Sequence, residues 1–373
     1  MSGVGGRWRN ARRPIALAAL AVLAALVSAA ARAEPYLAIR TGLKCSACHE
    51  NVSGGGARNA YGAGYGRQEL PSAERSSTEA FDGAIVPRVR IGADLRGGAE
   101  WSRPEDGASL WTFDVFGARL YGDFEVLEDR LALYVDEQIA PGGSVSREAF
   151  ALMRPTKGSF WIKVGRFFPP FGLRLEDDEA FTRSATGFNF AYSDTGVEAG
   201  VEPGHWSFAA AATNGNGGAD ESNNGKQVSF VGSYVRSAFR VGLTAARNDL
   251  PEDARRSLAG VFGGARAGPV VFLAEWDAIR DDPGVTSPVV DGNASHLEVD
   301  WLVTRGVTLR AWGGSHDPDR DTGGDTETQA GLGVDCTMLP GAQLRAYLRR
   351  RDGPESVPAS RGDEATVEVH LYF

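Results

Sequence analysis

The pentapeptide Cys45-Ser46-Ala47-Cys48-His49 places two thiols and an imidazole at the spacing of c-type haem attachment. Cysteines two residues apart reach the two vinyl groups of one porphyrin, and the adjoining histidine turns under the ring to bind iron. A vicinal disulfide or half of a zinc site shares the C-x-x-C spacing, but a zinc site lacks its second ligand pair anywhere in the chain. Cys45, Cys48 and His49 are therefore the expected cofactor-binding residues, with His49 as the metal ligand. The sixth iron position is open, because no other histidine or methionine lies between residues 34 and 150. Lys44, a nearby asparagine or water are the local candidates; Met153, His205, His296, His316, Met338 and His370 all fall in the later part of the chain.

A weaker metal signal is the run Asp317, Asp319, Asp321 and Asp325, where alternate carboxylates start like a calcium loop. Thr322 stands where such a loop has glycine, and Thr328 where it has its bidentate glutamate, so a solvated loop is the stronger expectation and Ca2+ the weaker. No nucleophile–base set, phosphate cradle or paired-acid motif stands above background. Cys336 has no activating partner in the sequence and reads as a small residue within a strand.

These side chains must be positioned by what surrounds them. Residues 1–33 have a basic front with Arg7, Arg9, Arg12 and Arg13, an apolar stretch from Ile15 to Val27, and Ala31-Arg32-Ala33 before Glu34. This is the layout of a secretory signal. The apolar stretch is shorter than the roughly 20 residues of a spanning helix. With five arginines and no acids in that segment, its removal takes the formal charge from −9 to −14. So acidic a chain is a poor partner for nucleic acid. Residues 34–85 mix glycines with Arg58, Asn59, Tyr61, Tyr65 and Arg67 without sustained period, as expected of a loop wrapped around a cofactor. At about 50 residues it is marginal as an independent fold.

From residue 86 to 373 the pattern alternates. Val89, Ile91, Ala93 and Leu95 interleave with Arg90, Gly92, Asp94 and Arg96; Leu297, Val299, Trp301 and Val303 interleave with Glu298 and Asp300. Nearly 290 residues of this would need an apolar lumen too wide to fill if the apolar members faced inward. The inverse arrangement, apolar to lipid and polar to a wet lumen, predicts an all-β chain folded as a transmembrane barrel of about 16 antiparallel strands. Tight turns such as Glu202-Pro203-Gly204 and Leu339-Pro340-Gly341 alternate with longer polar loops. That places both barrel ends, and the haem segment, on the side of the short turns, expected to be periplasmic. The long loop from about 169 to 193, with Glu176-Asp177-Asp178-Glu179 and Arg183, is read equally well as an inward fold that narrows the pore or as an outside loop. Arg88, Arg90 and Arg96 are lumen candidates for pairing with haem propionates.

The segment 40–62, with its pentapeptide and Tyr61-Gly62 ahead of a porin-like chain ending on Phe373, resembles the fused monohaem cytochrome-porins of iron-oxidising bacteria. Lys163-Val164-Gly165-Arg166-Phe167-Phe168-Pro169-Pro170-Phe171-Gly172-Leu173 also resembles the strand-to-loop passage of phosphate-selective-type porins. The first resemblance implies an outer-membrane location and one covalent haem c that passes single electrons across the membrane. It also implies extracellular Fe(II) as donor and a periplasmic c-type cytochrome or other redox carrier as partner, the barrel contacting lipid and associating as porin-like homo-oligomers. Residues 51–59 depart from that family's pattern, which has a proline-containing stretch there. The alternative is a solute or anion porin whose haem segment is a plug or docking site.

Overall fold

A computed structural model describes residues 35–73, 81–105, 107–155, 159–221, 223–284, 287–355 and 361–373. The expected signal at residues 1–33 lies outside the described residues. Sixteen strands, β2 (Val89–Pro104) to β17 (Gly362–Tyr372), each pair antiparallel with their chain neighbours. The last then pairs with the first, Val369 opposite Gly97, so the sheet closes on itself. A three-residue strand β1 (Ala84–Val86) folds back on the start of β2.

The expected inversion is present. Along β13 (Val290–Thr304), Leu297 is 64% exposed whereas His296, Glu298 and Asp300 are 1%, 4% and 1% exposed. The same holds on β16 (Ala342–Asp352), with Leu348 facing out and Arg345 and Arg349 buried within. An outer surface of Phe272, Trp276, Leu309, Leu332 and Val367 costs free energy in water but none in hydrocarbon, which is why the alternation reads as a membrane wall. Most strands are near or above the roughly 9–11 residues that cross a bilayer; β6 (Phe160–Phe167), β7 (Asp194–Val201) and β8 (Trp206–Thr213) have 8 each. Cys336 is buried in β15 (Glu327–Leu339).

Two pieces of chain occupy the lumen. One is the loop between β6 and β7, which folds inward: the Leu173 N–H donates to Glu275 at 3.0 Å, Arg345 pairs with Glu176 at 3.2 Å and Arg349 with Asp177 at 2.6 Å. Of the two readings of residues 169–193, the inward one holds. The other is the amino-terminal segment, in which helix α1 (Pro35–Thr41) is ended by Gly42 at a φ of 69° and helix α2 (Ala60–Gln68) is capped by Asn59, whose side chain accepts from Gly62 N. Tyr36, Leu37 and Ile39 of α1 pack with Leu173 and Leu175 of the inward loop and with Phe262, Val271 and Leu273 of the wall. Each such side chain contributes about 1.5–3 kcal/mol on burial.

Candidate functional site

The segment is seated in the barrel end that carries the short turns. Lys44 Nζ donates to the backbone carbonyls of Glu202 and Trp206 at 3.1 and 2.7 Å, and Ser46 Oγ to Glu202 at 2.6 Å. Arg266 donates to the Arg40 carbonyl at 2.8 Å, and Ser72 N to the Thr337 carbonyl at 3.2 Å. Glu202, Arg266 and Thr337 belong to three separate short-turn hairpins.

Cys45 begins a single 3-10 turn, Cys45–Ala47, which the N–H groups of Cys48 and His49 close by donating to the Cys45 carbonyl at 3.2 and 3.1 Å. Cys45, Cys48 and His49 thus line one chamber. Asn59 ties the turn down, its amide donating to the carbonyls of Ser46 and Ala47 while its oxygen caps α2. Gly62 is where α2 crosses the turn: a Cβ there would overlap the Cys48 carbonyl oxygen. His49 bridges to Arg58 in a short antiparallel contact. Its Nδ1 is buried without a hydrogen-bond partner, and burial, with Arg58 nearby, pushes its pKa down to about 4. A neutral imidazole next to two free thiols is a donor set that fits iron and a porphyrin. Burial raises the Cys48 thiol above its ordinary value, and Cys45 adds to the shift.

Beyond the turn, residues 51–57 reach deeper and are fixed to the wall. Asn51 donates to Glu148 at 2.9 Å, and Tyr134 OH accepts from Ala57 N at 3.0 Å. Ser53 lies 2.5 Å from Lys163 and 2.7 Å from Glu198, themselves a fully buried ion pair at 3.2 Å. Arg174 of the inward loop donates to the Gly54 carbonyl at 3.0 Å. The chamber so bounded lies between the Cys45–His49 turn, the inward loop and the wall.

Of the other histidines, His370 alone lines it, and both its ring nitrogens are engaged, with Asp94 at 2.7 Å and Gln343 at 2.5 Å. His296 pairs with Glu298, His316 with Glu327, and His205 lies against Arg236. Met153 and Met338 do not line the chamber. Two of the three arginines expected to await propionates are placed elsewhere: Arg88 pairs with Glu128 in the open at 2.8 Å, and Arg90 pairs with Glu50 at 3.3 Å outside the chamber. Arg88 precedes the first barrel strand, so the alternation that set its facing does not extend to it. Arg96 does line the chamber but is held by Asp94 at 2.8 Å and by Glu176. Arg119, Arg174 and Arg240 also line it; two are single strand positions among many and one sits in a loop, so nothing in the local pattern singles them out. Among the described residues no group of three or more carboxylates, histidines or cysteines converges on a metal position. In the Asp317–Asp325 run, Asp319 accepts from Asp321 N and from the Thr322 hydroxyl within its own turn.

Three solved structures share this wall. The loop L8 deletion mutant of OmpT, an outer membrane protein of Vibrio cholerae, is 17% identical with a TM-score of 0.60, over 76% of this chain and 99% of that one. The anion-selective porin from Comamonas acidovorans is 10% identical with a TM-score of 0.60, over 76% and 99%. OprB of Pseudomonas putida is 10% identical with a TM-score of 0.59, over 76% and 94%. The fold is that of an outer-membrane porin. No protein-family model matches the chain, and no curated protein does. At these identities the likeness concerns the barrel alone.

Proposed function

We propose that this porin-like barrel resides in the bacterial outer membrane and carries one covalent haem c in its lumen, through which single electrons cross. Cys45 and Cys48 would hold the porphyrin by thioether bonds and His49 would ligate its iron. The observation that carries the reading is that this donor set faces a chamber within the lumen rather than open solvent. When bound, the haem supplies a one-electron iron couple. The chain does the rest: the 51–57 loop fixes depth, the inward loop lines the chamber, and α1 packs the segment against that loop.

The apolar band of such a barrel is about 25 Å tall, so a redox centre at one rim could not serve both faces; seating within the lumen brings it towards both. The donor we favour is extracellular Fe(II), the electron leaving to a periplasmic c-type cytochrome, with the short-turn end facing the periplasm. Sealed vesicles holding the protein and an enclosed redox dye test this. External ferrous iron should change the dye with wild-type protein and not with Cys45→Ser/Cys48→Ser; an unchanged dye with intact, reducible haem ends the conduit reading.

The second reading, a solute or anion porin with the segment as plug, is favoured by the porin fold and by the arginines of the chamber. It predicts steady ion conductance in planar bilayers, whereas the packing of α1 against the inward loop favours a closed lumen.

A further inference from the structure

The chain is acidic overall, with a formal charge of −9, yet the chamber is lined by eight cationic and five carboxylate side chains among the described residues. All five carboxylates are already engaged. Asp94 and Glu176 are held by Arg96, and Glu176 also by Arg345; Asp136 by Arg147 at 3.5 Å; Glu148 by Asn51; and Glu202 by Ser46 and Ser207. Among the described residues, several of these cations make no ion pair or hydrogen bond to a carboxylate. Arg174 donates only to the backbone carbonyls of Gly54 and Phe168, and Arg240 to the Ser233 hydroxyl. The Arg119 side chain is half-buried, and its Nε is buried without a hydrogen-bond partner. A guanidinium nitrogen buried without an acceptor is costly unless an anion completes it.

Arg119 projects from β3 (Leu110–Leu127), in register with Asp94 and Gln138. Two residues from Gln138 on β4 (Leu131–Ala140), Asp136 stands opposite Glu148 of β5 (Val145–Met153) and is held by Arg147, while Arg174 donates to the carbonyl of Phe168, whose N–H donates to Glu148. Arg119 and Arg174 therefore flank one continuous patch of the β3–β5 wall, nearly opposite Arg240 on β10 (Phe239–Asp249) around the sixteen-strand ring.

We propose that Arg119 and Arg174 form an anion-binding pole for a pair of carboxylates. Its occupant on the reading above is the propionate edge of the haem; the other source of the same chemistry is a free dianionic solute. The chamber's surplus of three cations, eight against five carboxylates, is matched by two negative charges with one left over.

The test uses full-length protein purified in detergent with its haem. In Arg119→Gln the oxidised form should gain on the reduced form by up to about tenfold at a fixed solution potential, which is 59 mV for one electron. Removing a cation favours the more positive iron, and the pH at which the potential breaks should move upward as the propionate loses its partner. Arg119→Lys should restore most of the shift, Arg174→Gln should act in the same direction, and the distant Arg88→Gln should do nothing. If haem is attached and neither glutamine variant moves the potential or its pH break, the propionates are not there and the inference falls. If those variants instead alter the anion-to-cation selectivity of bilayer conductance with the potential unmoved, the pole serves a solute and the propionate assignment is overturned. Absence of haem from the wild type would remove the proposed function, while the conductance arm would still decide whether the pole binds anions.

Discussion

The barrel wall and the chain inside it are held by different forces. The wall is a closed ladder in which every strand pairs on both sides, so no strand can leave without breaking two rows of backbone hydrogen bonds. The segment 35–73 has two helices of 7 and 9 residues, too short to persist alone. Its shape is imposed by side-chain ties to the wall: Asn51 to Glu148, Ser53 to Lys163 and Glu198, Ala57 to Tyr134, Lys44 to the 202–206 turn. The difference teaches that fold and chemistry are separable here. Wall residues pointing inward can be altered to loosen the site with the barrel left standing, and site residues can be removed at no cost to the barrel.

The strongest challenge to that separation is the double substitution Cys45→Ser/Cys48→Ser. Haem staining of the purified protein should vanish entirely, while the barrel keeps the heat-sensitive gel mobility of a folded outer-membrane protein. Loss of both together would mean that the segment is part of the folding nucleus, and the comparison would fail.

Lys163→Met comes next in size. Lys163 and Glu198 are both completely buried, and Lys163 is ringed by Phe150, Trp161 and Phe167. Removing one partner of a buried pair costs about 3–5 kcal/mol because the other charge is stranded. Since Ser53 bridges the pair, the cost should fall on docking of residues 51–57, whose amide exchange should quicken by two orders of magnitude or more, given that about 1.4 kcal/mol is tenfold. Exchange that stays slow in that loop while the strands open would place the pair in the wall's stability instead.

Gly62→Val sharpens the comparison from the segment's side. The added side chain meets the Cys48 carbonyl, and overpacking of this kind costs about 1–3 kcal/mol. Haem incorporation per folded barrel should drop several-fold, with gel mobility unchanged; full incorporation would show that α2 does not need to touch the turn.

These contrasts also explain what could be read in advance. All sixteen strands were legible within a few residues because membrane walls repeat one rule, apolar out and polar in, at every second position, and because Pro and Gly mark the turns. That Cys45, Cys48 and His49 lie together could be read because their spacing is local. The direction of the 169–193 loop was not, since Glu176 and Asp177 look solvated until Arg345 and Arg349 of strand β16, far along the chain, are brought beneath them. Nor was the pairing state of the chamber's arginines. Arg96 and Arg119 have the same local pattern, yet Arg96 is paired with Asp94 of its own strand and Glu176 of the inward loop, whereas the buried Nε of Arg119 has no partner. The residues 51–59, notable in the sequence for lacking a proline, are where the segment is tied to the wall.

The smallest effect expected is that of Tyr134→Phe. The phenyl ring keeps the stacking of Tyr134 on Phe150, with centroids 4.9 Å apart, so the wall loses no packing. What goes is the hydroxyl that accepts from Ala57 N, leaving a buried N–H unmet at a cost of about 1 kcal/mol or somewhat more. That is too little to detach the segment and should leave haem content intact, but it should raise amide exchange at Ala57 by about tenfold relative to its neighbours. The hydroxyl also abuts Gly56, where any Cβ would overlap it, so Tyr134→Phe should make Gly56→Ala less damaging than it is alone. If the two substitutions instead add independently, Tyr134 is only part of the wall, and depth must be set by Lys163, Glu198 and Glu148 alone.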